Sequence, residues 1–254
     1  MEAINQSFAN GNSILHKTDP RLKLIIIFLF ALITAASSNI LMLGQALFFS
    51  IVLLSAARLE FKKVIKRIIL INIFTGSVWL FIPFTYEGRE FWTLGPLTAS
   101  LEGIYYALTI SLRTNSIMIA MIALLATSEI KNLLQALNYF KLPKKLILLA
   151  FFFYRYIFVL KKELTKLLRA AKARGLQNKS TLKTYSSYGY LIAMLLFNSL
   201  ERSERVYQAM LARGFNNKIY VNHDSKLHAD DLIFFTKVLL VLSWFIVLDI
   251  GILS

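Results

Sequence analysis

Two short segments of this chain repeat one frame of chemistry-bearing residues. The stretch Ser199–Phe215, SLERSERVYQAMLARGF, ends in Arg213, Gly214 and Phe215. A near copy, LLRAAKARGL, lies 39 positions upstream and ends in Arg174, Gly175 and Leu176. Both contain A-x-x-A-R-G followed by Leu or Phe, placing Ala170, Ala173, Arg174 and Gly175 in register with Ala209, Ala212, Arg213 and Gly214. Alanines three apart give a helix a narrow, smooth face, so Ala170 and Ala209 mark faces where another backbone can approach closely. Glycine suits the left-handed residue that ends a helix. An arginine just before it sits beside free carbonyls that favour a cation. A single Arg-Gly pair is ordinary capping. Two copies in the same alanine frame point to a docking device. In the second copy, Glu201, Arg202, Glu204 and Arg205 read as a charged first helical turn.

Such ends need elements to carry them. The 254 residues are 57% hydrophobic, which places the chain among membrane proteins, yet the net charge is +15. Residues 128–225 hold 17 Lys and Arg against 5 Asp and Glu, most of that excess. Without a cysteine, neither a disulfide framework nor a thiolate metal site can form. His16, His223 and His228 are scattered and read as surface or loop residues, so neither a metal site nor a cofactor is expected. The polar N-terminus lacks the pattern of a cleavable signal peptide.

Five apolar runs read as spans: about Leu22–Ser37, Ile40–Ala57, Ile68–Phe84, Leu101–Thr127 and Asp231–Leu253. Pro20 suits the first helical position, with Asp19 as its cap. Thr85–Ala99 reads as a loop with Tyr86 and Trp92 as interfacial anchors. Arg113 falls near the middle of the fourth span, where a charge must face protein, a carbonyl or water. It reads as a structural arginine locking neighbouring helices rather than part of a transport path. Charge bias puts the N-terminus and the basic 58–67 stretch in the cytoplasm and the 85–99 loop outside.

Two further apolar runs, Leu146–Leu160 and Tyr188–Leu200, fall short of the ~20 residues a span needs. Charge flanks both, and the first contains Arg155, so they read as helices in or under the membrane surface. Pro143 divides a helix over Glu129–Phe140 from the next one, which holds the first of these runs. The expected fold is therefore an all-α integral membrane protein with about five transmembrane helices and a basic cytoplasmic region of coupling helices. Its expected parts are a membrane domain over 1–127, a coupling region over 128–225 and a last transmembrane helix over 226–254. Aromatics do not alternate with the basic residues, so no nucleic-acid platform is read; the lipid bilayer is the expected partner of some lysines.

At these motifs the sequence resembles the transmembrane T component of energy-coupling factor (ECF) transporters. HKTDPRLKL at His16–Leu24 is similar to that family's N-terminal pattern. LLQALNYFKLPKK at Leu133–Lys145 and YRYIFVLKKEL at Tyr154–Leu164 resemble its following segments, in order. ERSERVYQAMLARGF resembles the cobalt-type CbiQ members more than the shared EcfT type. The resemblance implies a non-catalytic coupling subunit in a prokaryotic cell membrane, transmitting ATPase motion during cobalt or nickel import. It implies two ATP-binding cassette partners, with Arg174 and Arg213 entering grooves on them, and a small substrate-binding membrane subunit. The alternative inside the family is a T component shared by vitamin importers; outside it, a stand-alone channel or secondary transporter. A membrane enzyme would need clustered catalytic groups, and Glu201 and Glu204 alternate with arginines as a solvated face does.

Overall fold

A computed structural model describes residues 13–94, 97–140, 142–177, 179–215 and 229–253. The chain divides into two compact units, Met1–Ala136 with Asp224–Ser254, and Leu137–His223. His223 and His228 lie outside the described residues.

The first unit opens with a single turn, α1 (Ile14–Lys17), and then α2 (Pro20–Ala36). The start of α2 follows from local chemistry. Pro20 occupies the first position, and the Asp19 carboxylate accepts the Arg21 N–H at 2.8 Å. Asn39 caps α3 (Ile40–Ala57) in the same way, accepting from the Leu41 N–H at 3.0 Å. Arg58, with φ 49°, ends that helix in the left-handed conformation. The basic stretch predicted as separate from the third span is instead its beginning. One helix, α4 (Phe61–Thr85), carries Lys62, Lys63, Lys66 and Arg67 and contains Pro83 in its last turn.

The segment expected as a loop is partly a hairpin. β1 (Glu90–Leu94) pairs antiparallel with β2 (Leu97–Ser100), with a register shift between Glu90 and Trp92. Ser100 then caps α5 (Leu101–Leu125), its hydroxyl accepting the Gly103 N–H at 3.0 Å. Gly103 is required there, because a Cβ would sit 2.9 Å from both Ile82 O and Pro83 Cα of α4. α6 (Ile130–Tyr139) carries the chain towards the second unit, and α9 (Ala229–Leu253) returns it to the first.

α5 is the hub of this unit: α2, α3 and α4 all pack on it. The reason is a stripe of small, fully buried residues, Ser116, Ala120 and Ala123, which lets backbones come close where lipid offers no hydrophobic drive. Phe30, Phe49 and Phe245 link α2, α3 and α9 through ring centroids about 6 Å apart, the second pair edge-on. Ile69, Leu70, Ile73, Phe74, Leu80 and Phe81 of α4 are all more than half exposed, an outer surface suited to lipid.

Among the described residues, four helical stretches are long and apolar enough to cross a membrane: Ile40–Ala57, Lys62–Thr85, Leu101–Leu125 and Asp231–Asp249. α2, with 17 residues, is the shortest of the five predicted spans. At 1.5 Å per residue it covers about 26 Å, one turn short of a ~30 Å hydrocarbon core. The protein is an all-α integral membrane protein apart from the small hairpin.

The second unit is built from α7 (Lys144–Ala173) and α8 (Leu182–Ala212), which pack on each other. Pro143 precedes α7 and Thr181 caps α8, its hydroxyl accepting the Thr184 N–H at 3.3 Å. The two short apolar runs are the interiors of these helices of 30 and 31 residues. Glu201, Arg202, Glu204 and Arg205 consequently lie deep within α8 and not in a first turn. No side chain described in α7 or α8 is buried.

Candidate functional site

The two Ala-Arg-Gly segments close α7 and α8 with the same backbone geometry. Arg174 is the C-terminal cap of α7 at φ −85°, ψ 12°, and Arg213 that of α8 at φ −95°, ψ 13°. Gly175 and Gly214 follow in the left-handed region, at φ 90° and 77°. Their N–H groups donate to Lys172 O at 3.0 Å and Leu211 O at 2.9 Å. Leu176 and Phe215 then donate back five residues, to Ala171 O and Met210 O, each at 3.0 Å. This pair of bonds is the Schellman closure, which satisfies carbonyls a helix end would otherwise leave bare. It accounts for the glycine, and the apolar residue after it is the one that such closures favour.

It does not account for the arginines. Both guanidinium groups are exposed, and neither has a hydrogen bond or ion pair among the described residues. By contrast Arg205, in the body of α8, lies 3.8 Å from Glu201. Ala170, Ala173, Ala209 and Ala212 are exposed as well. Within the second unit Arg174 also borders a basic groove of about 670 Å³, with Lys179, Lys183 and Tyr190 on its walls.

Arg113 of α5 donates from Nη2 to the Ser37 carbonyl at 2.7 Å. Ser37, in the α2–α3 turn, donates from its hydroxyl to Asp249 Oδ1 of α9 at 2.5 Å. Arg113 and Ser37 together thus link α5, the α2–α3 turn and α9. Its Nε is buried without a partner. Sequence reasoning missed a second polar tie, between α4 and α5. Asn72 and Asn115 exchange amide hydrogen bonds at 3.0 and 3.1 Å. Trp79 Nε1 donates to Ser111 Oγ at 2.7 Å on the same helix pair. The available signal was an asparagine inside each of two apolar runs. His16 faces Ser13, with Oγ 2.6 Å from Nδ1. Among the described residues no group of three or more His, Cys, Asp or Glu is placed to hold a metal ion.

The first unit is thus an apolar framework of membrane-type helices, and the second carries the two capped, basic helix ends. Residues 11–223 match the CbiQ family model, cobalt transport protein, and the chain belongs to this family. It is 32% identical over 221 residues to the energy-coupling factor transporter transmembrane protein EcfT of Bacillus subtilis (strain 168), covering 82% of this chain and 83% of that one. Its counterpart in Brevibacillus brevis is 30% identical over 230 residues, 85% of this chain and 86% of the relative. An uncharacterized protein of Methanocaldococcus jannaschii is 23% identical over 256 residues, 98% and 87% respectively. The chain is thus a transmembrane component of the energy-coupling factor type.

Proposed function

We propose that this chain is the non-catalytic coupling subunit of an ATP-driven importer, with Arg174 and Arg213 each entering a groove on one of two ATP-binding cassette subunits. The observation that carries the reading is the duplication itself. Two helix ends present an exposed guanidinium without a partner, in superposable backbone geometry, 39 residues apart in sequence. A guanidinium offers five donors in a rigid fork, suited to carboxylates and carbonyls in a partner's groove. Ala173 and Ala212 belong to the same docking ends, and Ala170 and Ala209 would let helices cross at close range. Hydrolysis takes place in the partners, and a small membrane subunit binds the cargo. The site faces the cytoplasm of a prokaryotic cell, with the N-terminus on the same side.

For the cargo, the family description favours a cobalt ion. A second reading is a component shared among vitamin importers, since the relatives are named as energy-coupling factor proteins without mention of cobalt. Metal and vitamin analysis of the purified complex separates the two.

The docking test uses four substitutions. Arg174→Ala and Arg213→Ala should each weaken capture of the ATPases by roughly 2–5 kcal/mol, the cost of leaving buried partner groups unpaired. Lysine should rescue poorly, since it keeps the charge and loses the fork. Arg169→Ala and Arg205→Ala, on the helix bodies, should cost little. Equal losses in all four would mean diffuse attraction, and docking through the two ends would have to be given up.

A further inference from the structure

The chain crosses between the two units twice, once through α6 and once before α9. In the first unit, described residues beside both crossings are held by buried groups at the start of α2. On the outgoing side, Lys23 of α2 is 1% exposed. Its Nζ donates to Thr127 Oγ1 at 3.2 Å and to Ser128 Oγ at 2.7 Å, the residues that link α5 to α6. On the returning side, the Asp19 N–H donates to Asp231 Oδ1 at 3.1 Å, at the start of α9. Asp19 and Asp231 are themselves buried, and both carboxylates act on the Lys23 ammonium.

Burying such a group is expensive, and apolar residues of similar volume commonly stabilise a core as well or better. What ionic clusters are best attested to supply is fixed register. This one also keeps a spare acceptor. Asp19 Oδ2 is buried with no hydrogen-bond partner, while Asp19 Oδ1 lies 3.9 Å from Arg21 Nε.

We propose that Lys23, with Asp19, Thr127, Ser128 and Asp231, forms a mechanical anchor that passes displacement of α7 and α8 to α2, α5 and α9. Lys23 is its positioning residue. The proposal rests on the coupling role given above.

The test is Lys23→Met in the full chain, assembled with its ATPases and followed by amide hydrogen exchange with and without ATP. The expected result is that the ATPases are captured and ATP is hydrolysed as in the wild type. The ATP-dependent change in α7 and α8 persists, while that in α2 and α9 falls about tenfold. An undiminished change in α2 and α9 overturns the anchor. So does loss of capture together with every ATP-dependent change, since Lys23 would then only hold the fold. If Lys23→Met does not accumulate, Ser128→Ala removes the closer acceptor and is read the same way. Should the wild type capture no ATPase, the coupling role fails by itself, and exchange in the chain alone decides the anchor. Lys23→Met should then speed amides at 126–132 and 231–236 together by about tenfold. Acceleration at only one of those segments, or at neither, overturns it.

Discussion

Gly175 and Gly214 hold φ near +90° and +77° so that the residue before each can end its helix with an outward arginine. An alanine in that region meets its own carbonyl, at a cost of about 1–2 kcal/mol. No neighbour crowds either position, so the penalty is conformational and not steric contact with the rest of the fold. Gly214→Ala should therefore fray the last turn of α8 and weaken ATPase capture about tenfold, although Arg213 is intact. Asparagine, which tolerates the left-handed region, should cost less than alanine. Equal capture by wild type and Gly214→Ala would detach the helix end from docking. At this scale the sequence was most informative. The Arg-Gly pairs and their apolar followers fix a closure that depends only on six consecutive residues, and the Asp19 and Pro20 start is equally local.

Helix pairs were less legible, because their ties join residues far apart in the chain. Asn72 and Asn115 satisfy one another across α4 and α5. Replacing one leaves the other's amide oxygen without its donor, which costs about 1 kcal/mol in a membrane helix pair. Each amide nitrogen keeps a bond to its own helix, at Ile68 O or Ser111 O. Replacing both with leucine removes donor and acceptor together and should be nearly neutral. Thermal unfolding in detergent should thus show Asn72→Leu and Asn115→Leu each destabilised and the double variant partly restored. Strict additivity would mean that each amide bonds elsewhere in solution. The same limit explains the other misses. Composition separated Lys62–Arg67 from the span after it, whereas a helix is continuous as long as its backbone bonds are, and α4 runs through both. Likewise α8 begins at Leu182, because Thr181 supplies the cap and no breaker intervenes before Gly214 except the permissive Gly189. Lys23 looked like one more basic residue near a helix start. Only its neighbours from α5 and the start of α9 reveal it as buried.

For the whole molecule the number of crossings sets the topology. Residues 128–225 carry most of the net positive charge, and the rule that basic segments stay inside predicts a cytoplasmic position for them. α3, α4, α5 and the α9 stretch qualify as spans by length and composition, while α2 is a turn short. The two possibilities place the N-terminus on opposite sides. If α2 crosses, it begins on the side to which α3 delivers Arg58 and the lysines of α4. If it does not, the N-terminus shares the side of the Ser37–Asn39 turn. A helix of 17 residues can still cross where flanking chains reach outward or the bilayer thins, at fractions of a kcal/mol per Å. Burying α2 against α5 and α9 favours that outcome, since Ile26, Ile27 and Phe30 pack into the same core as Leu242 and Phe245. The chain contains no cysteine, so single introduced thiols report without background. Cysteines at Asn5, Lys144, Lys179 and Asn217 should all resist an impermeant thiol reagent added to intact cells, and one at Tyr86 should react. Labelling at Asn5 alone would reduce the count to four spans. Labelling at Lys179 alone would make α7 a crossing helix, and the assignment of both helix ends to one cytoplasmic face would be wrong.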